Sequence, residues 1–176
     1  QFDRVRQSYP QSGSVFKPFI YASAFSGGYN PSSLINDAPI IFEDENLETF
    51  WRPENYSGKF YGLTTLREAL VQSINIVSIK LLREIGIKKS SETVDNFGFG
   101  IERLPQDLSL ALGSGNFSPA EVARGFSVFA NDGMISDIHY VSQIKDKNGD
   151  IIFDHSEIDI VNTVSYTHLT LPTRLP

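Results

Sequence analysis

The stretch Gln11-Ser12-Gly13-Ser14-Val15-Phe16-Lys17-Pro18-Phe19-Ile20 decides how the rest of the chain is read. A glycine before Ser14 permits a sharp backbone approach. Beyond it, Phe16, Phe19, Ile20, Tyr21, Ala24 and Phe25 recur at helical spacing. Ser14 therefore falls at or near the first turn of a buried helix, where unpaired N–H groups and the helix dipole favour developing negative charge. Lys17 stands three residues on, one turn above and on the same face. Pressed among Phe16, Phe19 and Phe25, its amine is partly desolvated, which lowers its pKa and makes the neutral, proton-accepting form more accessible. Pro18 lies in the first turn, where its missing N–H is no loss. Spacing alone favours a plainer reading, with Ser14 an N-cap and Lys17 a solvated helix charge.

The Ser-x-x-Lys spacing occurs twice. Ser142-Gln143-Ile144-Lys145 repeats it, but Tyr140 to Ile144 alternates like a strand, and residues three apart on a strand point to opposite faces. Context therefore selects Ser14 and Lys17. A second polar corner lies at Ser73-Ile74-Asn75. Thr65-Leu66-Arg67-Glu68 forms a capping box that opens a helix through Leu70 and Val71. Ile76, Ile79, Leu81, Leu82 and Ile85 then make an apolar stripe closing at Gly86. The tripeptide is thus a tight turn between two buried helices, able to project Ser73 and Asn75 to one side; short polar residues there also serve simply as caps. Its look-alike, Ser114-Gly115-Asn116, sits in a glycine-rich loop that reads as a helix lead-in.

Outward from these sites, Gly27 to Pro31 breaks the first helix, and Ala38 to Phe42 reads as a short strand. Glu43 to Gly62 is a long polar loop whose Trp51 and Tyr56 either pin it to the core or line a groove, pinning being the commoner use. Lys88-Lys89-Ser90 is a charge cluster at a helix end, and a helix is predicted from Glu92 to Phe97, stopped by Gly98 and Gly100. Ser118-Pro119-Ala120-Glu121 is the strongest helix start, running to Asn131-Asp132-Gly133. A hairpin follows, with Tyr140 to Ile144 and Ile151 to Phe153 about a turn at 147–150.

The 176 residues, 40% of them hydrophobic, suffice for one core. A net charge of −6 gives no reason to expect nucleic acid as a partner, and the absence of cysteine removes disulfides and thiolate metal sites. His139, His155 and His168 are scattered, so no metal is expected. No apolar run approaches the ~20 residues of a membrane span, and no signal peptide opens the chain.

Several blocks together, in order, resemble the transpeptidase domain of class A penicillin-binding proteins, closest to the bifunctional 1A subgroup. They are Gly13 to Tyr21, Ile35-Asn36-Asp37-Ala38-Pro39, Trp51-Arg52-Pro53-Glu54-Asn55-Tyr56-Ser57-Gly58, Leu66 to Leu70 with Ser73-Ile74-Asn75, and Leu108 to Gly113. The resemblance implies an α+β fold of the penicillin-binding protein and serine β-lactamase type, truncated to its mostly helical part with a β-hairpin. It implies a partial domain over residues 1–163, with central-sheet strands missing at both ends. Residues 164–176 match nothing in the family and look like a translated sequencing adapter.

Carried over position by position, Ser14 is the acylated nucleophile and Lys17 its proton acceptor, a role taken from the family and not from the spacing. Ser73 relays a proton toward the leaving group, and Asn75 holds Lys17 and the substrate amide. The partners implied are peptidoglycan stem peptides ending in D-Ala-D-Ala and β-lactam antibiotics. No cofactor is needed. The setting implied is the periplasmic face of the bacterial inner membrane, reached through an N-terminal anchor that this chain lacks. The family's third motif, Lys-Thr/Ser-Gly, does not occur, so the chain by itself is expected to be inactive. A β-lactamase-like hydrolase and a non-catalytic scaffold are the alternatives.

Overall fold

The computed structural model describes residues 1–43, 50–155 and 160–162. The tail at 164–176, with its His168, lies outside the described residues, as does part of the loop beginning at Glu43. Five α-helices organise the described residues: α1 (Lys17–Ser26), α2 (Leu66–Val71), α3 (Asn75–Ile85), α4 (Ile87–Asp95) and α5 (Pro119–Ala130). The strands are β1 (Leu34–Asp37), β2 (Phe42–Glu43), β3 (Phe50–Trp51), β4 (Gly62–Thr65), β5 (Met134–Ser136), β6 (Gln143–Lys145), β7 (Ile151–Asp154) and β8 (Ile160–Asn162). They form four antiparallel pairs, β1 with β4, β2 with β3, β5 with β8 and β6 with β7.

Helix α1 is the axle. The apolar spacing predicts one buried stripe; instead Lys17 and every residue from Phe19 to Ala24 are buried, as a helix packed on several sides requires. One side is aromatic. The Phe19 ring meets those of Phe16, Phe97, Phe99, Phe126 and Phe129 at centroid distances of 4.8 to 5.5 Å, within the range where tilted and edge-on pairs attract beyond simple burial. Gly125 in α5 makes room for this cluster, since a Cβ there would lie 2.8 Å from the Phe99 ring.

The other side of α1 meets α3. The Tyr21 and Ser78 hydroxyls lie 3.2 Å apart, and Ser78 Oγ donates to the Ile74 carbonyl at 2.8 Å. Helix α3 begins almost where α2 stops. The Ser73 N–H donates to the Leu70 carbonyl and the Ile74 N–H to the Ala69 carbonyl, the pair of bonds that defines a Schellman ending. That motif needs a left-handed residue, and here it is Ser73, at φ 54°.

Local capping signals located the starts of α2 and α5 well. Thr65 Oγ1 accepts from the Glu68 N–H at the start of α2, and the complete reciprocal box forms between Ser118 and Glu121 at α5. Two expectations move. The strand predicted at 38–42 is mostly displaced to β1, whose residues alternate exposed and buried with Ile35 and Asp37 inward, while Pro39 has no N–H to offer a ladder. Helix α4 starts at Ile87, five residues before the predicted Glu92, because Gly86 at φ 93° turns the chain between α3 and α4 with no side-chain cap to advertise the start. Of the two loop aromatics, Trp51 packs against the core and Tyr56 is fully exposed.

Candidate active site

Ser14 lies in a single 3-10 turn, Gly13–Phe16, that runs straight into α1. Gly13 has φ 59°, the left-handed region that glycine enters without strain. Ser14 caps nothing. Its side chain is exposed and makes no hydrogen bond among the described residues, while its carbonyl accepts from the Lys17 N–H. The plainer reading of Ser14 as an N-cap and Lys17 as a solvated charge therefore fails on both residues.

Lys17 is only 1% exposed. Its Nζ donates to the Ser73 carbonyl at 2.6 Å, to Ser73 Oγ at 3.0 Å and to Asn75 Oδ1 at 2.8 Å. Three acceptors match the three donors of an ammonium group. Burial nevertheless penalises the charge and lowers the Lys17 pKa from its ordinary 10.5 to about 8, so a neutral amine is within easy reach at physiological pH. The two-helix corner presents Ser73 and Asn75 to the lysine together while Ile74 turns into the core.

Sequence reasoning missed two residues that hold Asn75. Asn55, buried in the loop before β4, accepts through Oδ1 from the N–H groups of Asn75 at 3.0 Å and Ile76 at 3.1 Å. Its Nδ2 donates to both oxygens of Asp37, at 2.9 and 3.0 Å, and to the Lys59 carbonyl at 2.8 Å. Asp37, 1% exposed, also accepts from the Tyr61 N–H at 2.9 Å. Both residues fall within family-like blocks, which was the one available signal; neither position suggests a contact from local spacing.

The segment before Ser14 is clasped from across the molecule. Gly13 N–H donates to the Gly113 carbonyl at 2.9 Å, and Ser12 N–H to the Gly115 carbonyl at 3.0 Å. Ser12 Oγ approaches the same two carbonyls, and Gln11 bridges Asn116. A Cβ on Gly113 would sit 2.0 Å from the Gly13 carbonyl oxygen, so only glycine allows this approach. The loop that reads as a helix lead-in is thus also a wall beside the Ser14 turn. Its Ser114 hydroxyl is engaged with Ser109 at 2.6 Å. The other look-alike, Ser142 with Lys145, is exposed at the outer hairpin. His139 and His155 meet edge to face there, 4.7 Å between ring centroids.

An exposed serine thus stands one turn from a buried lysine gripped by a left-handed serine corner, and comparisons with known proteins give the family. Residues 3–169 match the family model of the penicillin binding protein transpeptidase domain, and the chain belongs to that family. Within it the similarity is to the 1A type. The chain is 42% identical over 152 residues to penicillin-binding protein 1A of Pseudomonas aeruginosa, covering 86% of this chain and 18% of that protein. The crystal structure of penicillin-binding protein 1A from Haemophilus influenzae superposes with a TM-score of 0.85 at 35% identity, over 91% of this chain and 24% of that one. Penicillin-binding protein A of Mycobacterium tuberculosis, solved as an imipenem acyl-enzyme complex, shares the fold with a TM-score of 0.84 at 19% identity, over 98% of this chain and 44% of that one. The chain thus spans under a fifth of the length of the 1A relative from Pseudomonas.

Proposed function

We propose that this chain carries the acylating machinery of a serine D,D-transpeptidase that cross-links peptidoglycan. The observation that carries the reading is the buried Lys17 amine, held on Ser73 and Asn75 one turn from the exposed Ser14. In the forward step the Ser14 oxygen bonds to the penultimate D-Ala carbonyl carbon and its proton passes to neutral Lys17. The amide C–N bond then breaks, and the departing D-Ala amine takes a proton relayed from Lys17 through the Ser73 hydroxyl. An amine of a neighbouring stem peptide then bonds to the acyl carbon, the ester bond to the Ser14 oxygen breaks, and the amine's proton passes to that oxygen, which forms the cross-link and restores the serine. A β-lactam is taken as the same acyl donor. No step calls for a cofactor or metal. The setting follows from the substrate, the periplasmic face of the inner membrane.

Mass spectrometry of the full-length protein after benzylpenicillin tests this. A persistent adduct on Ser14, absent in Ser14→Ala, is expected. Rapid turnover would point to a hydrolase, and no adduct to a scaffold.

The isolated 176-residue chain, which contains no Lys-Thr-Gly or Lys-Ser-Gly triplet, is expected to acquire no label in a fluorescent-penicillin gel and to melt without cooperativity. In the family that triplet supplies carboxylate recognition and an oxyanion N–H. A cooperative melt with a Ser14-dependent label would refute this. Residues 164–176 are read as foreign to the domain, and sequencing across the gene end checks it.

A further inference from the structure

Helix α3 starts with a deficit. Its N-cap position is Ile74, which has no side-chain oxygen to receive the first amides, and an unpaired N–H beside a buried lysine would be costly. Asn55, twenty residues earlier, makes up the deficit by accepting from both Asn75 and Ile76. It can do so in one orientation only. Both hydrogens of its amide are committed, to the Asp37 carboxylate and the Lys59 carbonyl, which leaves Oδ1 for the helix. The adjacent residue completes the grip. Asn75 Nδ2 donates to the Glu54 carbonyl at 3.0 Å, and this turns Asn75 Oδ1 toward Lys17 Nζ. Asp37 is itself fixed from α3, because Lys80 Nζ donates to the carbonyls of Asn36 at 2.7 Å and Ala38 at 3.0 Å, on either side of it.

We propose that Asp37 and Asn55 are positioning residues of the acylation reaction: they hold the main chain of Asn75 and keep the Glu54 carbonyl, adjacent to Asn55 in the chain, where it orients the Asn75 amide, and so set the place of the Lys17 amine. This rests on the site reading proposed above. An Asn75 that can rotate presents Lys17 with an N–H instead of a carbonyl oxygen, and the lysine then loses one of its three anchors. Displacement of a reacting group by about 1 Å is enough to slow a reaction by roughly 10²-fold.

The test is pre-steady-state acylation of the full-length protein by a fluorescent penicillin, well below the melting temperature, resolving the acylation rate constant from the dissociation constant of the initial complex. Asn55→Ala is expected to lower the rate constant roughly 10- to 100-fold while the dissociation constant moves less than about twofold. Asp37→Asn, isosteric and with a carboxamide in place of the carboxylate facing Asn55 Nδ2, carries the same test if Asn55→Ala does not fold. The exchange Asp37→Asn with Asn55→Asp rebuilds the link with donor and acceptor reversed and is expected to recover part of the rate relative to Asn55→Asp alone. A purely structural cap would lower the melting temperature and leave the rate constant of the folded protein at the wild-type value; that outcome overturns the proposal. If wild type is acylated and Lys17→Ala is not, yet both positioning variants react at the wild-type rate, the positioning role falls and the site reading stands. If wild type is not acylated on Ser14 at all, both fall.

Discussion

Two copies of one Ser-x-x-Lys spacing sit at opposite extremes of this molecule. Ser14 and Lys17 join a 3-10 turn to a helix buried on several sides, and the lysine is sealed against a second helix corner. Ser142 and Lys145 lie on and beside a two-stranded ribbon whose residues are exposed. A serine and a lysine three apart become chemistry only where the backbone brings them one turn apart and the surroundings strip water from the amine. Burial is what separates them: it brings Lys17 to about 8, whereas Lys145 is solvated.

The comparison can be broken most directly by exchanging its members. Lys17→Ala is expected to slow acylation of the full-length protein by ~10²- to 10⁴-fold, the usual worth of a positioned proton acceptor, and Ser73→Ala to do likewise. Lys145→Ala and Ser142→Ala are expected to leave it within twofold in the same stopped-flow assay. A decoy substitution that slowed acylation as much as Lys17→Ala, at unchanged stability, would reverse the assignment.

A smaller and graded effect comes from pH. The acylation rate is expected to rise about tenfold per unit up to pH ~8 and then level off, as the Lys17 amine becomes neutral. Stability carries the matching signature. The folded pKa lies below the ordinary 10.5, so between about pH 8 and 10.5 the unfolded chain binds more protons, and stability rises with pH across that window. Below pH ~8 both states are charged and the penalty of burying the ammonium is present in full. Denaturant titrations of wild type and Lys17→Met from pH 7 to 10 check the sign; a flat difference would mean that Lys17 is not desolvated.

The smallest effect concerns the corner. Ser73 holds a left-handed conformation that costs a non-glycine residue about 1 kcal/mol. Ser73→Gly is expected to regain about that amount but to lose the Ser73 Oγ acceptor of the buried ammonium, so that melting temperature stays close to wild type while acylation falls. Loss of both would show the hydroxyl to be structural.

Most of the helical frame was legible because its signals are local. The capping boxes at Thr65 and Ser118 and the turn at 147–150 are written within four residues of the elements they start or close. The Ser73 corner was legible for the same reason, being a helix ending followed at once by an apolar stripe. What could not be read is held by partners far apart in the chain. Asp37, Asn55 and Asn75 are separated by 18 and 20 residues, and nothing in their own neighbourhoods marks them as a set. Position 38–42 looked like a strand because apolar residues follow Pro39, yet the inward carboxylate of Asp37 needs Asn55 and Tyr61 beneath it, which favours the pairing one step earlier. Gly113 and Gly115 looked like a flexible lead-in because closeness to residue 13 has no local trace.

That last contact sets a timetable. The Ser14 turn sits near the beginning of the chain, but its clasp is formed by carbonyls 101 and 103 residues later, whereas the Lys17 to Ser73 bond spans 56. Closing a longer loop forfeits more chain entropy before any contact rewards it, and contacts of large sequence separation slow folding. The lysine and its corner can therefore assemble while Ser14 is still untethered, and the Ser14 turn settles only after the glycine loop has closed on the residues before it. During refolding of the full-length protein, penicillin labelling should lag the recovery of helix signal, which would make the antibiotic a reporter for the final stage of folding.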